Sequence, residues 1–168
     1  MADKPSLREY QRALSARLVN LDAGQSASRL GLQVGAERWL IALADAGEVI
    51  PVPPIAAVPL TRAWFSGVAN IRGKLYSIID FPAFLGDAPL VATDQTRLLL
   101  IAEKYRINSG LLVNGVLGLY REDQLRAENN TARAQWSAAE YLDTQGNRWK
   151  QLDVRGLVAH PDFLQVGV

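Results

Sequence analysis

Cysteine is absent from the 168 residues, and histidine and methionine occur once each. Without thiols there are no disulfides, no thiolate metal sites and no cysteine nucleophile. The single histidine, His160, has no second His or Cys with which to hold a soft metal. It is read as a surface or capping residue, since no nucleophile-elbow pattern supplies a serine for it to activate. A strong charge of either sign is also missing: Lys plus Arg number 18 against 17 Asp plus Glu. Such a balance sets up no field to gather nucleic acid or an anionic membrane. No run approaches the ~20 apolar residues of a membrane helix. The start, "MADKPSLREYQRAL", lacks an apolar secretory core. A disulfide-free chain also suits a reducing compartment. The expectation is a cytoplasmic protein with no cofactor, no metal, no nucleic-acid partner and no direct membrane insertion. The sequon Asn129-Asn130-Thr131 is then a polar loop.

What is present is ordinary globular material, 49% apolar and 21% charged, enough for one domain or two small subdomains sharing a core. Residues 5–24 predict a helix. Ser6 and Glu9 fit a capping box, Leu7, Tyr10, Leu14, Leu18 and Leu21 form one narrow apolar stripe, and Gly24 stops it. The stripe packs on its own domain or docks on a partner; both readings are open.

From Arg29 onward the pattern is β. "RLGLQVGAERWLIAL" reads as two strands around Gly35-Ala36, and "GEVI" as a third. "PVPPIAAVPL" holds four of the eight prolines, so it is an extended connector or an edge. "GVANI" and "KLYSIID" are two strands joined at Arg72-Gly73, "FPAFLG" is a short helical turn, and "TRLLLIAEK" is a strand with a buried centre. "INSGLLV" and "GVLGLY" flank Asn114-Gly115, a hairpin signal. "REDQLRAENNTARAQWSA" reads as loop with one helical turn. "EYLDTQGNRWKQLD" turns at Gln145-Gly146-Asn147, and "VRGLVAHPDFLQV" is partly helical. Nine or ten short strands with close turns predict a barrel or sandwich.

The segment "GVANIRGK", Gly67 to Lys74, is the one stretch that invites a ligand. A phosphate loop needs four residues between its glycines, then Lys, then a metal-binding hydroxyl. Here five residues separate Gly67 from Gly73, Leu75 follows Lys74, and no helix N-terminus receives the loop. Asp80 and Asp153 each follow an apolar stretch and precede a turn or helix, where an Asp caps backbone N–H groups. Capping is favoured over a carboxylate pair, because nothing else suggests a sugar or peptide site. Arg121, Arg126 and Arg133 alternate with acids and form a solvated face.

The stretch "WFSGVANIRGKLYSIIDFPAFLG", residues 64–86, resembles the signature of the CheW-like adaptor family, a Gly-Val-x-Asn-x-Arg-Gly core and an apolar strand ending in Asp. Glu48 stands nineteen residues before Gly67, where that family has a Glu. "SGLLVNGVLGLY" resembles its second-subdomain hairpin and "WKQLDVRGLV" its closing segment. Together these cover residues 29–160. "WFSGVANIRGKL" behind an added N-terminal helix looks most like the type IV pilus (twitching) branch, the PilI-type adaptors. Ser77 replaces a frequent Pro and Asn114 a frequent Asp, both compatible with the same strand and turn.

The resemblance implies a mainly β fold: two small five-stranded SH3-like β-barrel subdomains sharing a core (residues 29–168), preceded by the helical extension 1–28. It implies no enzyme. It implies an adaptor between the cytoplasmic tip of a methyl-accepting chemoreceptor and the regulatory domain of a CheA-type histidine kinase. A CheW-like scaffold in flagellar chemotaxis or another pathway is the alternative, and a small β-barrel enzyme a more distant one. By resemblance Glu48, Gly67, Arg72, Leu99 and Val116 contact the receptor, while Asn70 and Gly73 support the turn. For Arg72 two roles stand side by side: a partner contact, or a brace paired internally with Glu48. The kinase would meet a different surface, which the resemblance does not assign residue by residue.

Overall fold

The computed structural model describes residues 28–129 and 135–168. The helix expected over 5–24 lies outside the described residues, as do Asn130 and Thr131 of the sequon. Eleven strands follow in order: β1 Ser28–Val34, β2 Glu37–Ala42, β3 Ala46–Pro51, β4 Phe65–Ile71, β5 Lys74–Asp80, β6 Arg97–Ile101, β7 Ser109–Val113, β8 Gly115–Arg121, β9 Leu125–Glu128, β10 Ser137–Asp143 and β11 Arg148–Leu152. They build a six-stranded sheet, β8-β1-β2-β11-β10-β9, and a five-stranded sheet, β3-β6-β7-β5-β4. The mainly β expectation of two units around a shared core therefore holds, with six and five strands in place of five and five.

The two sheets are interleaved in sequence. β1 and β2 open the first sheet, β3 to β7 make the second, and β8 to β11 return to the first. The return corrects one expectation. Asn114-Gly115 is not the turn of a hairpin, because β7 has both of its edges taken, by β5 and β6. β8 crosses instead to the free edge of β1. Asn114 marks the crossing: its N–H donates to the Gln33 carbonyl at 2.9 Å, and its Oδ1 accepts the Gly35 N–H at 2.7 Å. β9 is a strand where only polar loop was expected; it pairs with β10, and the single turn foreseen there is the 3-10 turn Glu122–Gln124.

The interior explains the apolar run of β6. Leu98 and Leu100 point into a cluster with Ala69, Ile71, Tyr76, Ile78 and Leu112, inside the five-stranded unit. Leu99 and Ile101 point the other way, into a larger cluster that also takes Leu30, Leu32, Trp39 and Ile41 from the six-stranded sheet. A strand buried on both faces has no polar side to show, so it reads as a continuous run. The shared cluster is the layer between the two sheets. It is closed at the C-terminal end by Val154, Leu157 and Phe163 from the short helices Val154–Ala159 and Pro161–Leu164.

The carboxylates and the histidine cap elements, as expected. Asp80 accepts the N–H groups of Ala83 (3.1 Å) and Leu90 (2.9 Å), and Asp153 accepts that of Gly156 at 3.0 Å. His160 Nδ1 accepts the Asp162 N–H at 3.1 Å, starting the helix at Pro161. Asp143 holds the β10–β11 hairpin. It accepts from the N–H groups of Gln145 and Asn147, both at 2.9 Å, and from Asn147 Nδ2 and Trp149 Nε1, both at 3.0 Å. Its partial burial pushes the carboxyl pKa up, but these donors outweigh that and bring it down to about 2.

Candidate functional site

The β4–β5 hairpin presents the segment that the sequence singled out. Ile71 and Lys74 pair across the turn, and its two central residues, Arg72 (φ 51°) and Gly73 (φ 81°), both lie in the left-handed region. That is the type I′ pattern, whose twist matches the flanking strands. Gly73 takes it without strain, but Arg72 has a Cβ and does not. Asn70 compensates by accepting the Gly73 N–H through its Oδ1 at 3.0 Å. Asn70 and Gly73 thus support the turn, and Arg72 is an exposed residue held in an unfavourable backbone well, the kind of outlier found at functional sites.

The Arg72 side chain reaches across a gap in the sheet. Its Nη2 donates to Glu48 Oε1 at 2.5 Å, although Glu48 is on β3, at the opposite end of the strand order from β4. The sheet must therefore curl until its two ends meet. The connector after β3 completes the closure, Ala56 pairing with Val68 of β4. Both partners of the ion pair are open to solvent. The Arg72 hydrogen bond holds the Glu48 carboxyl below the usual carboxylate range, and the same bond to Glu48 raises the Arg72 guanidinium. An exposed pair of this kind is screened by salt and adds little to stability. It fixes the direction of the guanidinium, which has five N–H donors and spends one on Glu48.

Around the pair lies a groove of roughly 320 Å³. Ile71, Tyr76 and Leu100 make its floor, and a second ion pair, Lys74 Nζ to Glu103 Oε1 at 3.3 Å, stands at its rim. Its walls carry opposite charges already matched to one another and an apolar base. Among the described residues no group of three or more His, Asp or Glu side chains is placed to hold a metal ion.

The other expected residues fall elsewhere. Gly67 is buried in β4 with φ 135°. A Cβ there would stand 2.1 Å from the Ala56 carbonyl oxygen, so glycine lets the connector lie against β4. Leu99 is fully buried in the layer between the sheets. Its side chain has no surface to offer, which corrects its expected place among partner contacts. Val116 lies on β8, in the other sheet, 39% exposed. Sequence reasoning missed Leu117 and Leu119 on the same strand, 42% and 63% exposed. Their signal was present in "GVLGLY": three large aliphatic residues on a strand that turned out to be an edge.

The described residues thus present an ion-paired groove on the curled five-stranded unit and an exposed aliphatic strand, β8, at one end of the six-stranded sheet. A family model described as the CheW-like domain matches residues 29–162, and the chain belongs to that family. Protein PilI of Pseudomonas aeruginosa is 34% identical over 109 residues, which are 64% of this chain and 61% of PilI. The chemotaxis protein CheW of Thermotoga maritima is 26% identical over 114 residues, 66% of this chain and 73% of that one. A probable chemotaxis protein CheW of Rhizobium etli is 30% identical over 87 residues, 52% of this chain and 56% of the relative. Two of these three relatives are thus matched over less than two thirds of their length. The crystal structure of the scaffolding protein TtCheW from Thermoanaerobacter tengcongensis superposes with a TM-score of 0.66 at 16% identity, covering 82% of this chain and 95% of that one. That likeness speaks for the fold. No helix among the described residues is long and apolar enough to cross a membrane.

Proposed function

We propose that this chain is a non-enzymatic adaptor that couples the cytoplasmic tip of a chemoreceptor to the regulatory domain of a CheA-type histidine kinase, in the control of type IV pilus twitching motility. The reading rests first on the likeness to PilI over 109 residues. The observation that carries it in the structure is Arg72, exposed, held at positive φ and aimed by Glu48 over an apolar-floored groove. A planar guanidinium with most donors unspent can fork onto a carboxylate or onto the carbonyls at a helix end. Arginine at the rim of an apolar patch is also a frequent hot spot of binding. In this reading Glu48 and Arg72 meet the receptor directly, Asn70 and Gly73 hold the turn, and Gly67 shapes the strand behind them. Val116 adds a second contact from β8. The protein works on the cytoplasmic side, reaching the membrane only through its partners.

The test is co-precipitation of the purified chain with a receptor cytoplasmic fragment and, separately, with the kinase regulatory domain. Binding to both supports the adaptor; failure to bind either overturns it. Two of the relatives carry the name chemotaxis protein CheW, which favours a second reading, the same adaptor in flagellar chemotaxis. A strain lacking the protein separates the two: loss of twitching with normal swimming chemotaxis supports the pilus role, and the reverse overturns it.

A further inference from the structure

The groove beside Arg72 is polarised across its width. Arg72 and Lys74 flank Gly73 in one turn, so both positive charges stand on the β4–β5 side. Glu48 lies on β3, and Glu103 opens the 3-10 turn Glu103–Tyr105 just after β6. β3 and β6 are neighbours, with Ala46 opposing Ile101, so both carboxylates stand on the facing side. Each cation reaches across to one carboxylate, Arg72 to Glu48 at 2.5 Å and Lys74 to Glu103 at 3.3 Å. Lys104 does not neutralise the acidic wall, because its ammonium is bonded to Asp45 at 2.7 Å. Between the walls the floor is apolar.

Both bridges are open to solvent, and exposed bridges are worth little. A partner that brings its own charges can therefore replace them at small cost, provided each of its charges meets the wall of opposite sign. A partner with one sign of charge on both sides gains at one wall and is repelled at the other. The outer edge of β4 is taken, since Ala56 and Val68 exchange two backbone hydrogen bonds at 2.8 and 2.9 Å, so a partner is not received there as an added strand. A volume of roughly 320 Å³ admits a ridge of side chains from a helix rather than the helix itself.

We propose that the groove selects an amphipathic helix of split charge: an apolar ridge with acids along one flank, against Arg72 and Lys74, and Lys or Arg along the other, against Glu48 and Glu103. Lys74 and Glu103 are then specificity-determining residues beside the pair already described. That the helix belongs to a receptor tip rests on the proposed function; the charge selection does not. Three stapled helical peptides test it, sharing one apolar ridge and carrying acid–base, acid–acid or base–base flanks. Calorimetric titration of the full-length protein should show the acid–base peptide bound about tenfold more tightly than either of the others. That advantage should shrink several-fold between about 50 mM and about 500 mM NaCl. Lys74→Glu with Glu103→Lys mixes the signs on each wall. Both residues are exposed, so the melting temperature should stay near native while the preference disappears. Should that variant melt well below native, Lys74→Gln with Glu103→Gln removes the same charges without reversing them, and the preference should again fall. No binding of any peptide, equal affinities for the three, an advantage indifferent to salt, or a preference kept in the folded double variant would each overturn the selection. A receptor cytoplasmic fragment should bind the double variant about tenfold more weakly than the native chain. Peptide selection without receptor binding fails the functional reading alone, and receptor binding without peptide selection fails this inference alone.

Discussion

The Arg72 guanidinium bonds the Glu48 carboxylate at 2.5 Å and thereby joins the first and last strands of a five-stranded sheet. The bond satisfies both readings of Arg72 at once: it braces the closure and points the remaining donors outward. A charge swap separates them. Arg72→Glu should leave the circular dichroism spectrum and melting temperature close to native, because the pair is exposed, yet weaken receptor co-precipitation by about tenfold or more. Adding Glu48→Arg restores an ion pair with its ends exchanged. Binding should stay weak in the double variant. If the double variant binds as the native protein does, Arg72 is a brace and the partner-contact role is lost.

Gly67 makes a prediction about folding alone. A Cβ at this position meets the Ala56 carbonyl oxygen at 2.1 Å and the carbonyl carbon at 2.8 Å, and the backbone sits at φ 135°. Neither neighbour is a flexible side chain that can move aside. Gly67→Ala should therefore cost roughly 2–3 kcal/mol of stability, as overpacking against rigid atoms does, read as a lower urea midpoint at unchanged slope. Gly73→Ala is the comparison. It meets nothing within 4 Å and should cost only the smaller penalty of an alanine at positive φ.

What the sequence made legible was local. Gly35-Ala36, Arg72-Gly73 and Gln145-Gly146-Asn147 turn where their chemistry says they should, and Asp80 and Asp153 cap as isolated motifs. Asn114-Gly115 carried the same chemistry and misled. A turn signal says that the chain bends, whereas the choice of the next strand's neighbour depends on which edge is free, and the edges of β7 were already taken. β9 was missed for a related reason. None of its four residues, Leu125–Glu128, is buried, so its strand state comes from pairing with β10 and not from an apolar pattern of its own. The Arg72–Glu48 contact spans 24 positions; only the family resemblance brought the two residues together beforehand. The same resemblance placed Leu99 at a surface, although the apolar run around it reads as a strand buried on both faces.

Asp143 predicts an acid limit. Its pKa is lowered from 3.8 to about 2 in the fold. A carboxyl depressed on folding stabilises above its unfolded pKa, and the contribution is lost as pH falls through the folded value. The Asp143 contribution should thus be intact above about pH 5 and disappear between about pH 4 and pH 2. Asp143→Ala removes it at every pH and also strands the buried Trp149 N–H. A cost of about 1–3 kcal/mol at neutral pH follows from the unsatisfied donor. Urea unfolding of both proteins from pH 6 to pH 2 should show the two stabilities converging towards the acid end. Parallel curves would mean that the Asp143 carboxylate is not the group that titrates.

Leu99 and Val116 were expected to act alike, and the structure separates them. Leu99→Ala should destabilise the fold by roughly 2–4 kcal/mol, the range for a large-to-small change in a packed core, because the residue is fully buried between the sheets. The fraction that stays folded should bind a receptor fragment with native affinity. Val116→Asp should do the opposite: at 39% exposure on an edge strand it leaves unfolding nearly unchanged, and it places a charge in an apolar contact. Receptor affinity should drop about tenfold or more, as when a charge is buried unpaired at the centre of an interface. Calorimetric titration below the melting temperature of each variant reads both quantities in the same sample. Native affinity in Val116→Asp would remove β8 from the receptor surface, and weakened binding by folded Leu99→Ala would put the layer beneath it back.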